Sequence, residues 1–597
     1  MQRSGKWVTS ALMVRKLQMF VRMSGDRQRR LEQLVVRLRS LGVVRFTILL
    51  FVLPALADLL SSPTRASYRW IAADTFYYLT VARNFARHGI LSYDGERASN
   101  GFQPLWQLWA GVSEFFRERL GLGPIGPFLL LLSGLSMVAL ALGLLGATLR
   151  RARRISVLFL IAPVGLYGLT VLPAWMIGFK PLIAHGNVDW FMPVFGTPWS
   201  YVNGMESAPV LLFYALCLFL GSKPESTRSV LHAACFGCAL AGLTLSRLDH
   251  AFFSLALGLG YTLICQRTGG PFQPKAGFRA RAAEFVRRLQ LPIVAGLSAA
   301  FWIVPYLLQN RYFFGNFVPL SGAAKSTFPN FTDATLFNLK ALLSGDIPVT
   351  IDWWMQIASR VLQIVVPAIY CAAYLLIRVF RRSRAPLTTL LTASAVGGLC
   401  LCAYNYSFTP TMDQGFWYMP VATLLPTLFL LNARPLQIRD TNRAKVAIGA
   451  ALACSVTAFF YSWHRHPTYN RDYRSTMLQS AGEARAFYEN RLPKMIEIDD
   501  GVVGYALDTP TASWHLALDP EGFQARKEGH LIELLLSRGF DRVATSTYFV
   551  AKRSEITDSQ LTKWMGGSIG QDSSKFAVHR EFVSSDGKLI IGKINVR

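Results

Sequence analysis

Charge is scarce in this sequence, and negative charge scarcer still. Only 16% of its 597 residues are charged while 52% are hydrophobic, and 35 Asp and Glu stand against 62 Lys and Arg. A chain so long and so apolar is not a single soluble domain; it reads as a polytopic α-helical membrane protein. The basic excess does not form a phosphate-binding face, because Lys and Arg fall in short clusters between apolar runs, as the positive-inside rule requires. A nucleic-acid partner is therefore not expected. Neither a P-loop nor a dinucleotide-binding glycine fingerprint occurs, which argues against ATP hydrolysis and against a soluble nucleotide-sugar donor. Internal repeats and low-complexity tracts are absent too. The eight cysteines lie in or beside apolar segments and none sits in a loop where a disulfide would help; Cys235 and Cys238 have zinc-like spacing but no second pair. No metal site is expected at these cysteines.

What is present is a succession of spans. Residues 1–43 carry Arg15, Lys16, Arg22, Arg27, Arg29, Arg30, Arg37 and Arg39 without a continuous apolar core. They read as a basic, partly amphipathic cytoplasmic arm and not as a cleavable signal peptide. Spans are expected at 44–60, 126–149, 156–176, 206–221, 229–246, 251–265, 291–308, 357–380, 386–404, 415–432 and 445–463, about eleven crossings. That count puts Arg150 to Arg154, Arg267 to Arg288, Arg378 to Arg384 and Arg434 to Lys445 on the cytoplasmic side. The segment Pro104 to Phe116 is too short to cross and is expected to be a helix lying along or dipping into the outer surface. Residues 464–597 are polar, with strand-like runs at Met495–Ile498, Val502–Leu507 and Val543–Tyr548, helical spacing from His530 to Arg538, and a turn at Ser585-Asp586-Gly587. They are expected to form a small α/β domain outside the membrane.

Polar residues collect on one expected side of this bundle. The densest stretch, Arg69 to Trp106 within an outer loop at about 61–125, holds Asp74, Arg83, Arg87, His88, Asp94, Glu96, Arg97, Asn100 and Gln103 among aromatic side chains. Asp74 opens a run with helical spacing that puts Tyr77 and Tyr78 on its face, beside exposed backbone donors and the positive helix end. Such a carboxylate is kept ionised and able to take a proton; its alternative role is a helix cap. The same side holds His185, Asn187, Asp189, Glu206, Arg247, Asp249, His250, Lys325, Asp413, Trp417 and Tyr418. Ionisable groups at membrane depth are costly unless paired or facing a cavity, so their convergence implies a polar cavity opening outward. Arg247 and Asp249, two residues apart, do not share a helix face, which predicts a break between spans there. Glu206 is expected to pair with Arg247 or Lys325. Lys325 and Arg83 are the better phosphate candidates, since a leaving group needs a cation not already neutralised.

Ala73-Asp74-Thr75-Phe76-Tyr77-Tyr78, Asp94-Gly95-Glu96-Arg97 and Asn100-Gly101-Phe102-Gln103-Pro104-Leu105-Trp106 resemble the first outer loop of GT-C membrane glycosyltransferases. Asn203-Gly204-Met205-Glu206-Ser207, Ser246-Arg247-Leu248-Asp249, Phe314-Gly315 through Pro319 to Lys325, and Phe416-Trp417-Tyr418-Met419-Pro420 follow in the same order. The resemblance covers about residues 44–463 and is closest to the bacterial branch of arabinofuranosyltransferases and mannosyltransferase-like enzymes. It implies a GT-C-like fold and transfer of one sugar from a polyprenyl-phosphate carrier to an acceptor hydroxyl on an envelope glycan, lipid or surface protein, at the outer face of a bacterial cytoplasmic membrane. Under it Asp74 is the catalytic base, Lys325 and Arg83 or Arg247 hold the donor phosphate, and Tyr78, Asn100, Gln103, Glu206, Asp249, His250, Trp417 and Tyr418 touch sugar or acceptor. No cofactor is firmly implied, and a divalent cation is left open. Many relatives have a second acidic residue where this chain has Ala73, so a divalent cation bridged by the loop is less expected here. The rival readings are a ligase that moves a whole lipid-linked glycan and a transporter of lipid-linked sugar.

Overall fold

The computed structural model describes residues 44–45, 47–49, 52–53, 55–72, 74–123, 125–152, 201–224, 228–268, 278–327, 330–343, 351–380, 383, 385–409, 418–432, 473–498, 501–513, 519–546, 557–569 and 575–596. The basic arm at 1–43, the spans expected at 156–176 and 445–463, and His185, Asn187, Asp189, Asp413 and Trp417 lie outside them.

After α1 (Pro63–Trp70) the chain turns at Asp74 into α2 (Thr75–His88), which Gly89 ends in the left-handed conformation with φ 75°. α3 (Pro104–Arg119) begins on a proline whose fixed φ suits a first helical turn. Its Leu108, Trp109, Val112, Phe115 and Phe116 are exposed while Trp106, Glu114 and Arg117 are buried, so the helix has two faces. The bundle follows: α4 (Gly126–Arg151), α5 (Ser207–Gly221), α6 (Val230–Ser246), a single 3₁₀ turn at Leu248–His250, α7 (Ala251–Thr268), α8 (Phe278–Phe314), the short α9 (Leu320–Lys325), α10 (Phe331–Leu343), α11 (Ile351–Phe380), α12 (Pro386–Phe408) and α13 (Pro420–Asn432). Four of these stretches, Gly126–Arg151, Leu248–Arg267, Ala283–Phe314 and Pro386–Phe408, are long and apolar enough to cross a membrane. The helix expected at 291–308 is thus longer than predicted, running from Phe278 to Phe314.

Small residues let the helices approach. A Cβ on Gly237 of α6 would come 2.1 Å from the carbonyl of Ala295 on α8, so glycine is what allows that crossing. One continuous apolar core joins α2 to α7 and α11 to α13, and it extends into the C-terminal segment through Met477, Val502, Val503, Tyr505 and Leu507.

That C-terminal segment contains α14 (Tyr473–Phe487), β1 (Met495–Glu497), α15 (Val502–Leu507), β2 (Thr511–Ser513), α16 (Pro520–Glu528), α17 (Leu531–Ser537), β3 (Arg542–Ser546), α18 (Asp558–Ile569), β4 (Phe576–Val583) and β5 (Leu589–Val596). The five strands form one mixed sheet in the order β2-β1-β3-β5-β4, with β1 parallel to β2 and β3, and β5 antiparallel to β3 and β4. Strands at 495 and 543, the helix at 531 and the turn between the last two strands agree with expectation. The strand predicted at Val502–Leu507 is a helix. A short, wholly apolar run suits a buried strand or a buried helix equally, and here tertiary contact decides. Val503 N donates to Glu497 Oε1 at 3.0 Å, and Gly501, at φ 85°, lies where a Cβ would strike the backbone of Tyr77 at 2.8 Å.

Candidate active site

Several returns of the chain build a cavity around the start of α2. The turn before α2 is held by Asn203, whose carbonyl accepts from Ala72 N at 2.7 Å and from Thr75 Oγ1 at 3.1 Å. Trp106 Nε1 donates to the next carbonyl, Gly204 O, at 2.7 Å. Gly204 has φ 79°, and a Cβ there would sit 2.6 Å from both Ile71 and Thr75, so both its conformation and its space demand glycine. This lock puts Glu206 beside Tyr78, whose hydroxyl donates to Oε2 at 3.4 Å and accepts from Gln103 N at 3.1 Å. Burial first, and then the Glu206 charge, push the Tyr78 phenol well above its ordinary range, so it acts as a neutral donor.

The second return is the break at Arg247. Its backbone is extended, at φ −160° and ψ 115°, between α6 and the 3₁₀ turn, as the spacing of Arg247 and Asp249 predicted. Arg247 Nε lies 3.0 Å from both oxygens of Asp249, and a terminal nitrogen bonds Glu206 Oε1. The guanidinium carbon stands 3.8 Å from the centre of the Tyr418 ring. Gln103 Oε1 accepts from Leu248 N at 3.0 Å, tying the loop before α3 to the same turn. Glu206 therefore pairs with Arg247, and the two carboxylates of this clamp neutralise the cation between them.

Asp74 occupies the N-cap position of α2, but its side chain makes no capping hydrogen bond; instead it lines the cavity. The cavity measures about 690 Å³, and Tyr78, Gln103, Glu206, Arg247, Asp249 and Tyr418 line it as well. Space of this size holds a sugar and its linkage with room beside it. Two further returns supply residues that sequence reasoning passed over: Tyr404, Asn405 and Thr409 at the end of α12, and Lys527 at the end of α16. The α12 residues sit where an apolar run ends in polar side chains; nothing in the sequence near Lys527 points to a membrane cavity.

Several expected site residues do other work. Arg83 donates to Tyr505 O at 2.8 Å and Gly504 O at 3.4 Å and lies 3.1 Å from Asp508. It fastens α2 to α15 and does not line the cavity, which corrects its expected place at the donor phosphate. Asn100 is buried, donating to Asn310 Oδ1 at 3.3 Å and accepting from Leu320 N at 3.2 Å. It joins three segments and does not reach the cavity. His250 is buried, with Nδ1 2.8 Å from Asp249 Oδ1 and its ring stacked on Phe253, so it orients Asp249 from behind. Glu96, a candidate second carboxylate, pairs with Lys494 of the C-terminal segment. Lys325 is the last residue of α9, whose Ser321 and Gly322 line the cavity, but its side chain lies outside the described atoms, as does Trp417. Among the described residues no three His, Cys, Asp or Glu side chains come together as a metal cluster.

No family model and no curated protein matches this chain. Its structure is similar to the crystal structure of ArnT from Cupriavidus metallidurans bound to undecaprenyl phosphate, with 13% identity, a TM-score of 0.47, and coverage of 91% of this chain and 98% of that one.

Proposed function

We propose that this chain is an inverting GT-C-type glycosyltransferase that moves a single sugar from a polyprenyl-phosphate carrier to an acceptor hydroxyl. The observation that carries the reading is that Asp74, at the start of α2, lines one cavity together with Tyr78, Gln103 and the Glu206–Arg247–Asp249 clamp. In the reaction the acceptor oxygen attacks the anomeric carbon and Asp74 takes its proton. The bond from that carbon to the phosphate oxygen breaks as the new one forms, and the carrier leaves with the electron pair. A double displacement would need a second carboxylate about 5 Å away as nucleophile. The clamp on Glu206 and Asp249 disfavours that role for either, because each would have to leave Arg247 to attack.

Tyr78, Gln103 and Tyr418 are proposed sugar or acceptor contacts, and Lys325 remains a proposed phosphate ligand from the motif in which it lies. Arg247, already neutralised, is proposed to position Glu206 and Asp249. The order of the sequence motifs supports a donor that stays in the bilayer, with residues 44–463 as the membrane domain, the N-terminus cytoplasmic, and the cavity and residues 464–597 extracytoplasmic in a bacterial inner membrane. The closest resemblance favours a pentofuranose such as arabinofuranose, and the wider family a hexose such as mannose. The test is transfer from a panel of synthetic polyprenyl-phosphate sugars by the full chain in membrane extract, with the anomeric configuration of the product read by NMR. One sugar transferred with inversion supports the reading. Retention, or transfer only of a preassembled glycan from a pyrophosphate carrier, overturns it.

A further inference from the structure

The catalytic cavity is walled in part by the C-terminal segment. Leu320 of α9 shares an apolar cluster with Phe523 and Ala525 of α16, and Phe314 packs against the same cluster. Because Leu320 N also donates to Asn100, α16 is joined through α9 to the loop that precedes α3. α16 itself is held at both ends. Asp519 caps it by accepting from Gly522 N at 2.7 Å and is clamped by Arg538 at 2.7 Å, and Gly529, at φ 77°, stops it in the left-handed conformation. Lys527 thus sits in the last turn of a fixed helix, its amine 4.4 Å from the Phe523 ring centre, and it lines the cavity.

Among the described residues the charge on the cavity wall is unbalanced. Asp74, Glu206 and Asp249 face Arg247 and Lys527, and Arg247 is already bonded to two of the carboxylates. A phosphate there meets three carboxylates against two cations among the described lining residues, and its own negative charge grows as the sugar leaves. It needs a cation whose donors are not committed. Among the described residues, Lys527 is the cavity cation with no carboxylate partner; Arg83 is spent on α15.

We propose that Lys527 binds the phosphate of the lipid carrier, so that the C-terminal segment completes the donor site. The inference rests on the transferase reading above. A lysine suits this place because its ammonium is a compact charge on a flexible stem, held at the cavity wall over the face of Phe523.

The test uses the purified full chain and undecaprenyl phosphate, without sugar, as probe, with binding measured for wild type, Lys527→Gln and Lys527→Arg. Removing one charge-assisted contact is expected to weaken binding about tenfold or more, while Lys527→Arg restores it to within a few-fold of wild type. Hydrogen exchange in α16 is expected to be the same in all three, which separates lost charge from lost folding. Lys527→Gln binding like wild type overturns the inference and leaves the transferase reading standing. Unchanged carrier binding with a raised KM for the acceptor also overturns it, assigning the anion to the acceptor. Failure of wild type to bind the carrier at all overturns both.

Discussion

Replacing Arg83 by Met separates the phosphate role expected from the sequence from the docking role that the structure gives it. In the structure Arg83 is 5% exposed, bonds the carbonyls of Tyr505 and Gly504, pairs with Asp508, and holds its guanidinium carbon 4.9 Å from the Tyr505 ring centre. Hydrogen bonds to a charged group are worth roughly 1.5–3 kcal/mol, and breaking a buried pair costs roughly 3–5 kcal/mol. Arg87 still reaches Asp508 Oδ1 at 2.7 Å, and Asp508 is partly exposed, so the loss sits toward the lower end, at about 2–4 kcal/mol of docking free energy. Since each 1.4 kcal/mol is a factor of ten, amides of α15 would exchange about thirty- to a thousandfold faster if they open by undocking. Hydrogen exchange read by mass spectrometry on peptides covering 495–513 measures this directly. Unchanged protection there, with weakened carrier binding, would refute the reasoning and return Arg83 to the phosphate.

Two further outcomes follow from the same geometry. Gly204→Ala puts a Cβ against Ile71 and Thr75 in a left-handed backbone, so it is expected to lower thermal stability by about 1–3 kcal/mol and to displace the Asp74 turn, read as a lower Tm together with lost transfer. Asp508 is pulled up by burial but further down by Arg83 and Arg87, leaving its carboxyl below the usual range. A lowered folded value means that its contribution is complete above the unfolded value, near pH 4, and is lost as pH falls through the folded one. Protection of α15 in wild type should therefore drop on acidification below about pH 4, and Asp508→Asn should be less protected at pH 7 and respond less to the same change.

Much of the cavity is legible from residue order. Asp74, Tyr78, Gln103, Glu206, Arg247, Asp249 and Tyr418 were singled out because polar groups in apolar surroundings must pair or face water, and all of them line one cavity. Arg247 shows how far such reasoning reaches: a spacing of two predicted the break in the helix, and the break is there. Arg83, Asn100 and His250 obey the same rule by pairing instead of facing the cavity, and a linear pattern does not separate those outcomes. For Arg83 the partners lie more than 420 positions away, on a helix that the sequence pattern suggested was a strand. Lys527 was invisible for a related reason. Its neighbours are those of an ordinary solvated helix end, and only the packing of Leu320 into the cluster around Phe523 brings it to the cavity.

The account stands on Asp74 as the group that takes the acceptor proton. Its most direct test is single-turnover transfer by wild type and Asp74→Asn, with carrier binding measured on the same preparations. Loss of a general base is expected to slow transfer by about 10²- to 10⁴-fold while carrier affinity stays within a few-fold of wild type. Equal transfer rates in the two proteins would contradict the account, making Asp74 part of the helix start and moving the proton to another acceptor.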